Sequence, residues 1–160
     1  MNIKTIIGVV SLSICTIITT SCQNDSTSHN SNDVIFEKGE LAPSEKFVGN
    51  VYMNVLVPVD SIYTMKSGSV TFEAGARTNW HLHPSGQILM VTDGVGYHQI
   101  KGREREVIKK GDVIRIPPNV FHWHGASEEY EMTHLFMVPN IDKGLTEWQD
   151  PVTDQEYKGK

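Results

Sequence analysis

From Val34 onward the apolar residues of this chain alternate with polar ones or gather in short runs, interrupted at intervals by Gly, Pro, Asn or Asp. No stretch keeps a long amphipathic helical period, so the pattern predicts an all-β domain. Candidate strands run over Asn50–Pro58, Gly68–Glu73, Asn79–His83, Gln87–Thr92, Gly94–Ile100, Arg105–Ile108, Asp112–Ile116, Val120–Gly125 and Glu131–Val138. Asp93-Gly94 and Lys110-Gly111-Asp112 read as tight turns, Pro117-Pro118-Asn119 as a rigid corner, and Asp142–Gln149 as a final helical turn. With 160 residues, 39% of them hydrophobic, such strands fill one sandwich or barrel with a core of its own.

The first 21 residues obey a different rule. Lys4 is their only charged side chain, and Ile6 to Ile18 is almost entirely apolar or small. As a helix that run would reach only about 20 Å, short of the roughly 30 Å hydrocarbon core of a bilayer, so it reads as an export signal rather than a permanent span. It ends in Thr19-Thr20-Ser21-Cys22, which resembles the processing box of bacterial lipoproteins and makes Cys22 the expected acylation point. The other cysteine, Cys15, lies in the part to be removed, so no disulfide is expected in the mature domain. Gln23 to Asp33 contains no aliphatic or aromatic residue and cannot bury surface. The expected organisation is a lipoprotein signal peptide at 1–21, a flexible tether at 22–33 and a folded domain at 34–160. The location expected from it is that of an exported bacterial lipoprotein, periplasmic or anchored at the outer membrane, touching the membrane through its lipid only. A net charge of −5 with no basic patch gives no surface for nucleic acid.

The chemistry concentrates in five of the seven histidines: His81, His83, His122, His124 and His134. His29, in the tether, is read as solvated. Residues two apart on a strand share a face, so His81 with His83, and His122 with His124, can each project together into a barrel. Buried imidazoles without partners carry a desolvation cost, whereas a divalent cation satisfies several lone pairs at once.

The spacing around them is specific. Gly75, His81, His83, Gln87 and Gly94 form one segment, and Gly111, Pro117, Asn119 and His122 form a second. This layout resembles the two motifs of the cupins, and implies a single jelly-roll β-barrel with a metal held by His81, His83, Gln87 and His122. Gln87 stands where most cupins carry Glu, Asn119 replaces the usual Gly, and Ala126 falls where Asn is common. The wording Gly75-Ala76-Arg77-Thr78-Asn79-Trp80-His81, Gly86-Gln87, His122-Trp123-His124-Gly125-Ala126 and Met132-Thr133-His134-Leu135 is similar to one group of small monocupins. That group includes manganese-dependent bacterial hydroxynitrile lyases and the cupins associated with carboxymuconolactone decarboxylases. The resemblance implies His, His, Gln and His as ligands, His134 as catalytic base and Thr78 as substrate support. It also makes manganese the first choice of metal, with Fe, Zn, Ni or Co as alternatives.

The residues themselves add to this. A shell of three imidazoles and one amide is neutral and leaves the full charge on a divalent cation, which favours anionic partners. His134 shares a strand face with Met132, Phe136 and Val138, and apolar surroundings keep an imidazole unprotonated and available as a base. Val70, His124 and Phe136 are the expected pocket lining, Trp80 and Trp123 should face away to pack between sheets or subunits, and Arg77 should pair with a carboxylate. The expected function is a metal-dependent lyase acting on a small hydroxy or carbonyl compound. A cupin dioxygenase acting on an enol or aromatic compound and a noncatalytic ligand binder are the alternatives. No nucleotide-binding loop or activated Ser or Cys stands out. Open strand edges without disulfides make a homodimer the expected assembly, with the segment around Tyr52 to Leu56 as the candidate for exchange.

Overall fold

The computed structural model describes residues 35–160; the expected signal peptide, Cys22 and the tether lie outside the described residues. Among the described residues the strands are β1 (Glu40–Leu41), β2 (Phe47–Val48), β3 (Val51–Val57), β4 (Met65–Phe72), β5 (Arg77–Thr78), β6 (His81–Leu82), β7 (Gln87–Ile100), β8 (Glu106–Lys109), β9 (Val113–Ile116), β10 (His122–Ala126), β11 (Met132–Pro139) and β12 (Glu147–Trp148). One short helix, α1 (Asp154–Tyr157), follows. The main path runs β1-β3-β4-β11-β7-β10-β5-β2, with antiparallel neighbours throughout.

The long strand β7 organises the barrel. Its first half pairs with β11 and β9, and its second half with β10 and β8, so one strand belongs to both faces of the fold. The turn expected at Asp93-Gly94 is therefore absent. Asp93 lies opposite Thr133 and Val91 opposite His134, which leaves Thr92 as an extra residue in a bulge. Gly94 takes φ +75°, and a Cβ there would run into the Glu131 carbonyl. The Gly that suggested a chain reversal instead permits the bend that carries β7 from one sheet to the other.

Alternation then sets the interior. Lys66, Gly68, Val70 and Phe72 of β4 lie opposite Val138, Phe136, His134 and Met132 of β11, and Leu89 and Val91 of β7 continue the same face. Val70, Phe72, Leu89, Val91, Met132 and Phe136 all belong to the main core. At roughly 1.5–3 kcal/mol per fully buried large apolar side chain, this face dominates the stabilisation of the fold. Ser67, Ser69 and Thr71 alternate with it on the other side of β4. Ser67 Oγ donates to the Phe136 carbonyl at 2.7 Å, and the Thr71 and Thr133 hydroxyls meet at 3.0 Å.

Three further expectations are corrected. The strand predicted over Asn79–His83 is cut down to β6, with β5 ending just before it, because the backbone groups between the two bond elsewhere: Asn79 N–H to Lys46 O at 2.9 Å and Trp80 N–H to Asp150 O at 3.1 Å. Asp142–Gln149 is not a helical turn. One 3₁₀ turn at Ile141–Lys143 ends at Gly144, with φ +110°, and the chain extends into β12 beside β6. Trp80 and Trp123 do face away from the histidines, but they pack with Val152 and Tyr157 under the C-terminal segment, not between sheets or subunits. Arg77 clamps that segment: it donates to Val152 O at 2.9 Å and Asp154 Oδ1 at 2.7 Å and lies over the Tyr157 ring. The Tyr157 hydroxyl donates to Ala126 O at 2.7 Å, and Thr153 and Glu156 form a capping box, so four residues suffice for a helix that would be unstable alone.

Candidate metal centre

The pairing of β6 with β10 sets His81 directly opposite His122, and their rings lie 4.2 Å apart. His83 follows just beyond β6, in a loop where Asn119 N–H donates to its carbonyl at 3.0 Å. Asn119 has φ +60°, the left-handed conformation that explains why Gly is usual at this position. Gln87 is buried at the start of β7, opposite Ile116. Ring nitrogens of His81, His83 and His122 thereby come within 4.8 Å of one another.

The hydrogen bonds around them assign the protons. His81 Nδ1 faces Asn79 O at 2.9 Å, His83 Nδ1 faces Leu145 O at 2.5 Å, and His122 Nδ1 faces Val120 O at 3.0 Å. A carbonyl only accepts, so each neutral ring carries its proton on Nδ1 and presents a bare lone pair at Nε2. His83 Nε2 is buried without a partner among the described residues, and His122 Nε2 meets Gln87 Oε1, a second acceptor, at 3.1 Å. Converging lone pairs repel unless a cation lies among them, so these four side chains fit a divalent metal. Burial holds all three imidazoles neutral: His122 is pulled down to about 3, His81 is held well below the usual range and His83 is lowered, each mainly by desolvation.

A second histidine pair lies beside this centre. His134 Nε2 is 3.2 Å from His124 Nδ1, and the Phe72 ring packs against both imidazoles. His134 has no exposed surface, and desolvation pulls it down to about 4. Its Nδ1 and the Nε2 of His124 are buried without partners among the described residues. Thr78 Oγ1 accepts the His124 backbone N–H at 3.2 Å, which leaves its own hydroxyl proton to give.

Both clusters border one cavity of about 420 Å³. Every residue expected in the pocket lines it: Val70, Thr78, His124, His134 and Phe136, together with His81, His83 and Gln87. Phe72, Trp148, Lys46 and Lys66 line it too and were not foreseen. Phe72 and Lys66 are legible by stepping two and four residues from Val70 along β4. Trp148 is not, since only the docking of β12 on β6 brings its ring to 4.8 Å from His81. His98 was also unforeseen: it is buried, 6.0 Å ring to ring from His122, with the Glu106 carboxylate 3.9 Å from Nδ1.

Comparison with known proteins agrees with this geometry. The family described as Cupin domain matches residues 68–139. The chain is 41% identical to the (R)-mandelonitrile lyase of Granulicella tundricola over 116 residues, which is 72% of this chain and 88% of that protein. Among solved structures, it is similar to a cupin-like protein from Thermotoga maritima, with 45% identity, 79% of this chain and 96% of that chain covered, and a TM-score of 0.77. A cupin 2 conserved barrel domain protein from Rhodopseudomonas palustris shares the fold at 19% identity, with 72% and 75% covered and a TM-score of 0.57. On the strength of identity that extends over most of both chains, this protein belongs to the cupin family.

Proposed function

We propose that this cupin is a metal-dependent carbon–carbon lyase of the hydroxynitrile lyase type, acting on a small hydroxy compound and, in reverse, on the matching carbonyl. The observation that carries the reading is a single cavity bordered by His81, His83 and Gln87 of the neutral ligand set and, beside them, by the buried His124–His134 pair. A divalent cation held by His81, His83, Gln87 and His122, with manganese as first choice, would supply Lewis acidity toward a hydroxyl or carbonyl oxygen. Because all four donors are neutral, they cancel none of its charge.

The remaining steps belong to the chain. His134 takes the hydroxyl proton of a cyanohydrin, and its contact with His124 lets the pair share the proton it gains. The freed electron pair on oxygen forms the carbonyl, the bond to the nitrile carbon breaks, and cyanide leaves with that bond's electrons. The imidazolium returns the proton to it, so an aldehyde and hydrogen cyanide are the products. Thr78 donates to substrate oxygen, while Val70, Phe72 and Phe136 hold an apolar substituent and exclude water. The support from relatives is the 41% identity to a protein named a mandelonitrile lyase.

Purification without chelator, elemental analysis and an assay with mandelonitrile test the proposal together. Stoichiometric divalent metal and cleavage to benzaldehyde are expected. Bound metal without cleavage, or with oxygen uptake instead, would replace the lyase reading by a ligand binder or a dioxygenase.

We further propose that the protein acts as a homodimer tethered to a bacterial membrane surface. β3 pairs with β4 along its length but with β1 only at Tyr52 and Met53, so the segment around Tyr52 to Leu56 has only a short open edge for exchange. The outer face of that sheet instead offers half-covered Leu135, Met137, Ile88 and Met90 beside small Ser67, Ser69 and Thr71. Elution as a dimer across micromolar concentrations is expected; a monomer throughout would remove the assembly. Membrane attachment rests on Cys22 and its preceding segment, and Cys22→Ser should release the chain to the soluble fraction.

A further inference from the structure

Lys66 occupies an unusual position. It is the last of four inward residues on β4, after Phe72, Val70 and Gly68, and lies opposite buried Val138 of β11. Its side chain is half-buried and lines the cavity at the end away from Phe72. A charged residue at an inward position of a barrel ordinarily finds a carboxylate, because a half-buried ammonium is costly without one. Here none is supplied: among the described residues no acidic side chain lines the cavity, and Lys66 has no salt bridge. Lys46, the second cation of the lining, also has no salt bridge among the described residues, but it lies over the Trp148 ring at 5.8 Å, and that ring is 4.8 Å from His81, so Lys46 belongs to the end of the cavity near the metal ligands. The cavity thus has a polar, proton-handling end at His134 and a cationic end at Lys66, separated by the apolar side chains of Val70 and Phe136.

We propose that the substrate of this site carries a terminal carboxylate, bound by Lys66, at the opposite end from its reacting hydroxyl or carbonyl. This rests on the lyase reading for the reacting group but not for the carboxylate. The strand geometry sets the length. Val70 lies opposite His134, and Lys66 is four residues further along, about 13 Å at the backbone, before the lysine side chain reaches back toward the interior. A benzene ring or a short alkyl chain between the two functional groups spans that gap, with its apolar body against Val70, Phe136 and Val138. Gly68 lets the Phe136 ring settle against β4, since a Cβ there would come within 2.7 Å of Phe136 Cε1. Plain mandelonitrile fills the apolar part and leaves Lys66 without a partner.

Calorimetric binding of 4-formylbenzoate and benzaldehyde to the metal-loaded protein tests the assignment, because the two differ only in the carboxylate. Tighter binding of 4-formylbenzoate by about tenfold or more is expected, falling as salt is raised. Lys66→Met should abolish the preference by weakening 4-formylbenzoate binding to the level of benzaldehyde, and Lys66→Arg should retain it. Equal affinity for the two compounds in the wild type would overturn the proposal. So would a preference that survives in Lys66→Met, since the carboxylate would then be bound elsewhere, for instance at the metal. If carboxylate preference holds and depends on Lys66 but no cyanohydrin is cleaved, the lyase reading fails and this one stands. If mandelonitrile is cleaved without any such preference, the reverse is true.

Discussion

Replacing His134 with Gln is expected to lower mandelonitrile cleavage by about 10²–10⁴-fold, the range supplied by a positioned general base, with metal content unchanged. The reason is local. His134 is fully buried on β11, its neighbours Phe72 and His124 fix its ring, and desolvation holds it down to about 4. A base must be unprotonated to work, so at neutral pH nearly all of this imidazole is competent. Cleavage should therefore remain flat as pH is lowered from 7 to about 5 and fall only as it nears 4, where protonation removes the lone pair. An acid limb near 6.5, the value of an exposed histidine, would show that the base lies elsewhere. Gln keeps a hydrogen-bonding group of similar reach toward His124 but cannot accept a proton near neutrality. A variant with normal metal, normal folding and unimpaired cleavage would remove His134 from the reaction.

His122→Ala is expected to lose at least about 10²-fold in metal affinity and to reduce cleavage to background, since removing a ligand costs more than removing one of its supporting partners. His122 has no exposed surface, holds its proton toward Val120 O and points Nε2 at Gln87. Without it, His81 and His83 remain as only two imidazole donors. Gln87→Glu provides the complementary test. It should retain metal, because a carboxylate is a ligand of the same reach, yet slow cleavage, because the added negative charge offsets part of the cation's pull on substrate oxygen. Elemental analysis and turnover of the same preparations separate the two effects. Metal retained at wild-type affinity in His122→Ala would mean that the centre is not the one described.

The candidate site was legible because its main features are local. Two His-x-His pairs in an alternating segment place their imidazoles on common faces, and His134 with Phe136 and Val138 declares an inward row in the same way. The pocket residues Val70, His124 and Phe136 follow from that alternation, and the structure brings all of them to one cavity. The failures have an equally physical origin. Asp93-Gly94 is a turn by composition, yet the pairing of β7 with β11 and β10 on its two sides makes it a bulge in a continuous strand. The strand at Asn79–His83 is interrupted because its backbone bonds to Lys46 and Asp150, residues far away in the chain.

By itself, then, the order of residues determined the all-β character of the domain, the faces on which the histidines lie and the donor types available to a metal, since each depends on a two-residue period and on side-chain chemistry alone. The tertiary structure decided what no local period encodes. It made the Leu145 carbonyl the acceptor of the His83 proton, and it brought Trp148 against His81 through β12. It also showed that Lys66 lines a cavity where, among the described residues, no carboxylate answers it. Those outcomes depend on contacts between segments tens of residues apart, and such contacts exist only after the two sheets have closed around their shared interior.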